Sequence, residues 1–260
     1  MSPGGARPVQ PIRGPEADRT GCPVRGVTFD VNGTLLRPRD LGAVYREVFR
    51  RHGLAVEAAD DEVTRVVRRV WEELACLTDG STDRFAGHPE GPRGWWRRFA
   101  ERVAEHLGVP PPSRFAFQEL YDRFARADAW TLFPDAPPAL EALVERGVAR
   151  AVVSNWDERL PRLLEAVGLA GRLDAIVHSS AVGYEKPDPR VFRAALERLE
   201  VEAGEALHVG DRLKEDVEGA VALGMRGVLL DRAGEVREPP EPAVAVIQSL
   251  EELPAVLDRL

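Results

Sequence analysis

Residues 24–36 read VRGVTFDVNGTLL. The apolar run ends at Asp30, and Asn32-Gly33 follow as turn formers before a second apolar pair. A short apolar run closed by a polar residue and a turn predicts a buried strand with a functional side chain at its carboxyl end. The pattern recurs. ARAVV (149–153) ends at Ser154, DAIV (174–177) leads through a loop to Glu185-Lys186-Pro187, and ALHV (206–209) ends at Gly210-Asp211. A run over 226–230 precedes Asp231, and a weaker one covers 243–247.

Helical patterns separate these runs. Stretches 135–146, 156–167, 187–199 and 213–223 carry apolar residues at helical spacing, with Gly168 and Gly224 as stops and prolines opening the third. Ser249 and Glu252 have the spacing of a capping box for a last helix. Apolar strands alternating with helices predict an α/β fold with a doubly wound parallel sheet. Residues 38–130 break the alternation: they predict four amphipathic helices, at 41–52, 61–77, 94–107 and 113–127, with an exposed loop at 78–93. The expected layout is a flexible tail over 1–22, an α/β core over 23–37 and 131–260, and a helical insertion over 38–130.

The chain has 260 residues, 44% of them hydrophobic, with a net charge of −8. These values fit a globular chain and not a disordered one. An acidic chain lacks the clustered basic charge that nonspecific nucleic-acid binding draws on, and no apolar run reaches the roughly 20 residues of a membrane span. Cys22 and Cys76 are the only cysteines. They give neither a disulfide framework nor a thiolate zinc site, and a reducing cytoplasm fits. The tail has no apolar middle region, so no secretory signal is expected there. No P-loop, G-x-G-x-x-G after the first strand, or G-x-S-x-G occurs.

In an open parallel sheet, ligands bind beyond the carboxyl ends of the strands. That places Asp30, Ser154, Lys186 and Asp211 in one crevice. Two carboxylates, an ammonium and a hydroxyl suit a divalent cation and a phosphate. Lys186 and Lys214 are the only lysines among 35 basic residues. In a chain that otherwise uses arginine, a compact ammonium at a strand end is chemically distinct; Lys214 is expected on an exposed first helical turn.

Four segments, Asp30-Val-Asn-Gly-Thr-Leu35, Ser154-Asn155, Lys186 in YEKPDPRVF, and Gly210-Asp211 through Asp216 in HVGDRLKEDVEGA, resemble the haloacid dehalogenase-like superfamily over roughly 24–260. The resemblance implies a Rossmann-like core with the insertion as a helical cap, and a small soluble phosphorylated substrate. It implies Asp30 as a nucleophile forming an aspartyl-phosphate. Thr34, Ser154, Asn155 and Lys186 would serve the phosphate, Lys186 also offsetting the charge of Asp30. Mg2+ would be held by Asp30, the Asn32 carbonyl, Asp211 and Asp216.

Asn32 departs from the superfamily's phosphatases, which carry a second aspartate there as acid and base. An amide cannot exchange that proton, and such help is typically worth about 10²–10⁴-fold. The open readings are a hydrolase of phosphates with good leaving groups, a phosphotransferase, a 2-haloacid dehalogenase, and a catalytically silent binding protein. The acidic pair Asp211 and Asp216 argues for a metal and against the dehalogenase. Trp95-Trp96-Arg97-Arg98 either fills the insertion's interior and faces water, or sends one Trp and one Arg into the crevice. Asp135 and Asn155 are expected to cap the helices that follow them, and Phe85 and His88 sit on a loop that reaches toward the site.

Overall fold

The computed structural model describes residues 24–75 and 82–260. The expected tail, with Cys22, and Cys76 lie outside those residues. Six parallel strands form one sheet: β1 (Gly26–Phe29), β4 (Ala149–Ser154), β5 (Ala175–His178), β6 (Ala206–Gly210), β7 (Arg226–Leu230) and β8 (Ala245–Ile247). Their order is β5-β4-β1-β6-β7-β8. The chain runs outward from β1 to β5, then returns to β1's other side for β6, so β1 lies at the point where the winding reverses. There the loops leaving neighbouring strands diverge and open a crevice.

The sheet is buried on both faces, as the continuous apolar runs require. Val27, Phe29, Val152, Leu207 and Val209 point to one side and pack with α5 (Ala136–Glu145), α6 (Leu160–Ala166) and α10 (Leu253–Leu257). Ala151, Val153, Val177 and Ala206 point to the other, under α8 (Pro189–Leu199) and α9 (Gly219–Ala222). α8 has Pro189 in its first turn and Asp188 accepting from the Arg190 N–H. The capping box at Ser249 and Glu252 is present.

Between β1 and β4 the chain forms α1 (Leu41–Arg51), α2 (Asp60–Ala75), α3 (Gly91–His106) and α4 (Arg114–Arg123). These four helices share an apolar cluster of their own, centred on Phe49, Val63, Val70, Phe85, Trp95, Phe99 and Val103. The short α7 (Ser179–Val182) follows β5.

Three expectations need correction. An antiparallel pair, β2 (Leu36–Pro38) and β3 (Trp130–Leu132), brackets the helical segment. Each strand has three residues with one buried side chain, too few to show a period of two. The helix expected over 213–223 opens as a wide π-type turn over Leu213–Glu218 before α9. That widening accompanies an inward-facing Asp216. The stretch expected to be an exposed loop buries Asp83 and Phe85. Asp83 accepts the N–H groups of Phe85 and Ala86, and Phe85 joins the aromatic interior, not the crevice.

Candidate active site

β1 delivers Asp30 to the crevice, and the Asp30 N–H still donates to the Val209 carbonyl of β6 at 2.9 Å. Ser154, the last residue of β4, donates its hydroxyl to Asp30 Oδ1 at 3.1 Å. Lys186 Nζ donates to the same oxygen at 2.6 Å and to Asp216 Oδ1 at 2.6 Å. Lys186 is buried, so its ammonium exchanges water for these carboxylates. Burial opposes its charge, but Asp216 and Asp30 outweigh burial and raise its pKa above the ordinary lysine value.

Asp211 follows β6 directly. One carboxylate oxygen from each of Asp30, Asp211 and Asp216 lies within 4.8 Å of the others. Asp216 folds back beneath the site, its Oδ2 accepting the Arg212 N–H at 2.9 Å. Gly210 makes room for it: a Cβ there would stand 2.2 Å from Asp216 Oδ2. Gly33, at φ +95°, makes equivalent room for Asp211, whose Oδ2 a Cβ would meet at 2.4 Å.

Three carboxylates thus crowd around one ammonium, which bonds two of them. Burial raises the pKa of Asp30 even against Lys186. Burial also acts on Asp216, but Lys186 and His208 outweigh it and hold that carboxyl well below the usual range. Asp211 stands at the open rim; loss of solvent on its inner side, then the charges of Asp30 and Asp216, push it up to about 7. Hard oxygens with an excess of negative charge fit a Mg2+ ion.

Other expected residues do different work. Asn155 does not cap α6, which begins at Leu160. Its side chain accepts the Lys186 N–H at 2.6 Å and donates to the Lys186 carbonyl at 3.1 Å, so its amide holds the Lys186 loop. Thr34 is buried in the turn, its hydroxyl closed to solvent and unpartnered among the described residues. Asn32 is exposed at the crevice mouth, and Lys214 is exposed as expected. The N–H groups of Val31 and Asn32 have no acceptor among the described residues, because the turn's bonds come from Gly33, Thr34, Leu35 and Leu36. Asp135 precedes α5 but makes no side-chain cap there; its carboxylate accepts from Arg232, Ser249 and Leu250 instead.

His208 was not singled out by sequence. It is fully buried, with Nδ1 2.7 Å from Thr28 Oγ1 and Nε2 3.4 Å from Asp216 Oδ1. Its visible signal is a polar ring inside the apolar run of β6.

The helical layer meets the sheet along a seam. Trp95 fills the aromatic interior and Arg97 and Arg98 are exposed. Trp96 reaches across, donating Nε1–H to Asp157 at 2.5 Å. Asp157 is gripped by Arg159 through two N–H bonds of 2.8 and 2.6 Å, and the guanidinium lies 3.9 Å from the Tyr121 ring centre. Arg84 Nε donates to Glu185 at 2.7 Å, one residue before Lys186. His88 accepts the Glu90 N–H and stays on the loop.

The chain resembles known proteins in sequence and fold. The family model described as haloacid dehalogenase-like hydrolase matches residues 24–224. Haloacid dehalogenase-like hydrolase domain-containing protein 3 of Bos taurus is 35% identical over 224 residues, 85% of this chain and 86% of the relative. The crystal structure of a HAD phosphatase from Thermococcus onnurineus covers 90% of this chain and 98% of its own, with a TM-score of 0.62 and 27% identity. A 2-haloacid dehalogenase from Pseudomonas syringae pv. Tomato DC3000 covers 91% and 99%, with a TM-score of 0.62 and 26% identity.

Proposed function

The chain belongs to the haloacid dehalogenase-like hydrolase family, and from that premise we propose that it is a Mg2+-dependent phosphatase of a small phosphorylated metabolite, with Asp30 as nucleophile. The observation that carries the reading is the acidic trio beside Lys186. A dehalogenase attacks carbon and has no use for so much uncompensated negative charge.

Asp30, Asp211, Asp216 and the Asn32 carbonyl would hold Mg2+, which when bound offsets the charge of a phosphoryl group. Ser154 and Lys186 fix the Asp30 carboxylate through one oxygen. The Val31 and Asn32 N–H groups supply donors for phosphoryl oxygens. An Asp30 oxygen forms a bond to phosphorus as the bond to the leaving oxygen breaks, giving an aspartyl-phosphate that water then hydrolyses. The leaving oxygen takes its proton from solvent or departs as a stable anion, because Asn32 has no proton to give. The reading therefore favours acyl and aryl phosphates. The α1–α4 layer acts as a cap, and its contacts along the seam exclude water from the reaction.

Phosphate release from aryl, acyl and alkyl phosphates, with and without Mg2+, tests this. Turnover is expected with Mg2+ and the better leaving groups, and Asp30→Asn is expected to lower it by on the order of 10³-fold or more. Asn32→Asp is expected to raise alkyl-ester hydrolysis by about 10²-fold or more, the scale of general acid help. Metal-independent chloride release from 2-chloropropionate would replace the phosphatase with a dehalogenase. No turnover of either kind would leave a binding protein.

A further inference from the structure

We propose that Arg232 is a positioning residue that clamps the Asp30 turn from its outer side. The turn is soft by composition: Gly33 sits at φ +95° and the Thr34 hydroxyl has no partner among the described residues. Its internal bonds all converge on Val31 and Leu36: the Thr34, Leu35 and Leu36 N–H groups donate to the Val31 carbonyl, and the Gly33 N–H to that of Leu36. The outward carbonyls of Gly33 and Thr34 are bound from elsewhere. Arg232, two residues past β7, donates Nε–H to the Gly33 carbonyl at 3.2 Å and an Nη2–H to that of Thr34 at 2.7 Å. A peptide unit is planar, so fixing the Gly33 and Thr34 C=O groups also fixes the Thr34 and Leu35 N–H groups, which hold the Val31 carbonyl and with it the Asn32 N–H on the same peptide.

The clamp is itself anchored. Arg232 holds both oxygens of Asp135 at 2.9 and 3.1 Å, and its guanidinium lies 3.7 Å from the Phe133 ring centre. Asp135 also accepts from Ser249 Oγ at 3.0 Å and the Leu250 N–H at 2.9 Å. The carboxylate expected to cap α5 therefore ties the turn to the C-terminal capping box. Arg232, Ser249 and Leu250 all lie beyond residue 224, where the family-model match ends. A lysine cannot reproduce the arrangement, since one ammonium cannot span two carbonyls and both oxygens of a carboxylate with the reach of a planar fork.

Hydrogen–deuterium exchange over peptides covering 31–36, measured on full-length wild type, Arg232→Lys and Arg232→Ala, tests the clamp without reference to activity. Faster exchange at 31–36 in both variants, with 206–210 unchanged, is expected. The kinetic arm rests on the phosphatase reading: with p-nitrophenyl phosphate and Mg2+, kcat is expected to fall about 10–100-fold, the usual range for an outer partner of a site, with KM little changed. Free guanidinium ion is expected to restore part of the kcat of Arg232→Ala. If Arg232→Ala does not fold, Arg232→Lys decides. Wild-type exchange at 31–36 in a folded variant overturns the proposal, as does an increase spread evenly over the chain, which marks general destabilisation. Absence of turnover in the wild type counts against the phosphatase reading alone, since exchange still reports on the clamp.

Discussion

The crevice and the seam both bury charge, but they balance it differently. Along the seam two buried carboxylates each have a guanidinium of their own: Asp157 with Arg159, and Glu185 with Arg84. In the crevice Asp30, Asp211 and Asp216 have one ammonium, Lys186, which bonds Asp30 and Asp216 and leaves Asp211 without a hydrogen-bonded cation among the described residues. A matched pair in a closed space is a structural joint. An unmatched excess, with one carboxyl pushed up to about 7, costs stability, and under the proposed function a bound cation relieves it.

The largest effect expected from that contrast comes from Lys186→Met. It leaves Asp30 and Asp216 without their shared ammonium and is expected to lower stability by about 3–5 kcal/mol in urea unfolding with EDTA. Arg84→Met strands Glu185 in the same way. Measured against wild type at the same Mg2+ concentration, Mg2+ should recover part of the Lys186→Met loss and none of the Arg84→Met loss; equal recoveries would erase the distinction between the two regions. Mg2+ added to wild type comes next. At about one hundred times its Kd it should stabilise by about 2.7 kcal/mol, read as a rise in Tm that Asp211→Asn abolishes.

A pH series gives a smaller effect. The Asp211 carboxyl ionises near pH 4 in the unfolded chain and near 7 in the folded one. Between those values the folded chain keeps a proton that the unfolded chain has lost. The stability this group contributes is therefore full below about pH 4 and is lost as pH rises to about 7. The urea midpoint in EDTA should fall across that window more steeply in wild type than in Asp211→Asn, and Mg2+ should flatten the difference. The smallest effect belongs to the seam. Trp96→Phe removes one hydrogen bond to Asp157 and is expected to cost about 1 kcal/mol by the same unfolding assay, with no dependence on Mg2+.

The primary structure carried the sheet and the main actors. Strands buried on both faces need unbroken apolar runs, and those runs marked all six strands of the main sheet. Asp30, Ser154 and Asp211 were legible because each stands where such a run stops, and Lys186 because it follows the loop after another; the winding of a parallel sheet brings these places together. Short-range chemistry was legible too, as in the Ser249–Glu252 box. Partner choice was not. A carboxylate before a helix satisfies the same local pattern whether it caps that helix or bonds an arginine 97 residues away, as Asp135 does. Asn155 in the same way bonds the Lys186 backbone instead of a helix end. His208 shows only as a polar ring in an apolar run and Arg232 carries no local signal, because their work depends on Thr28, Asp216, Gly33 and Thr34 from other strands and turns. Periodicity records which side chains leave water, and it is silent on which polar atoms meet once they have left; only the folded chain decides that.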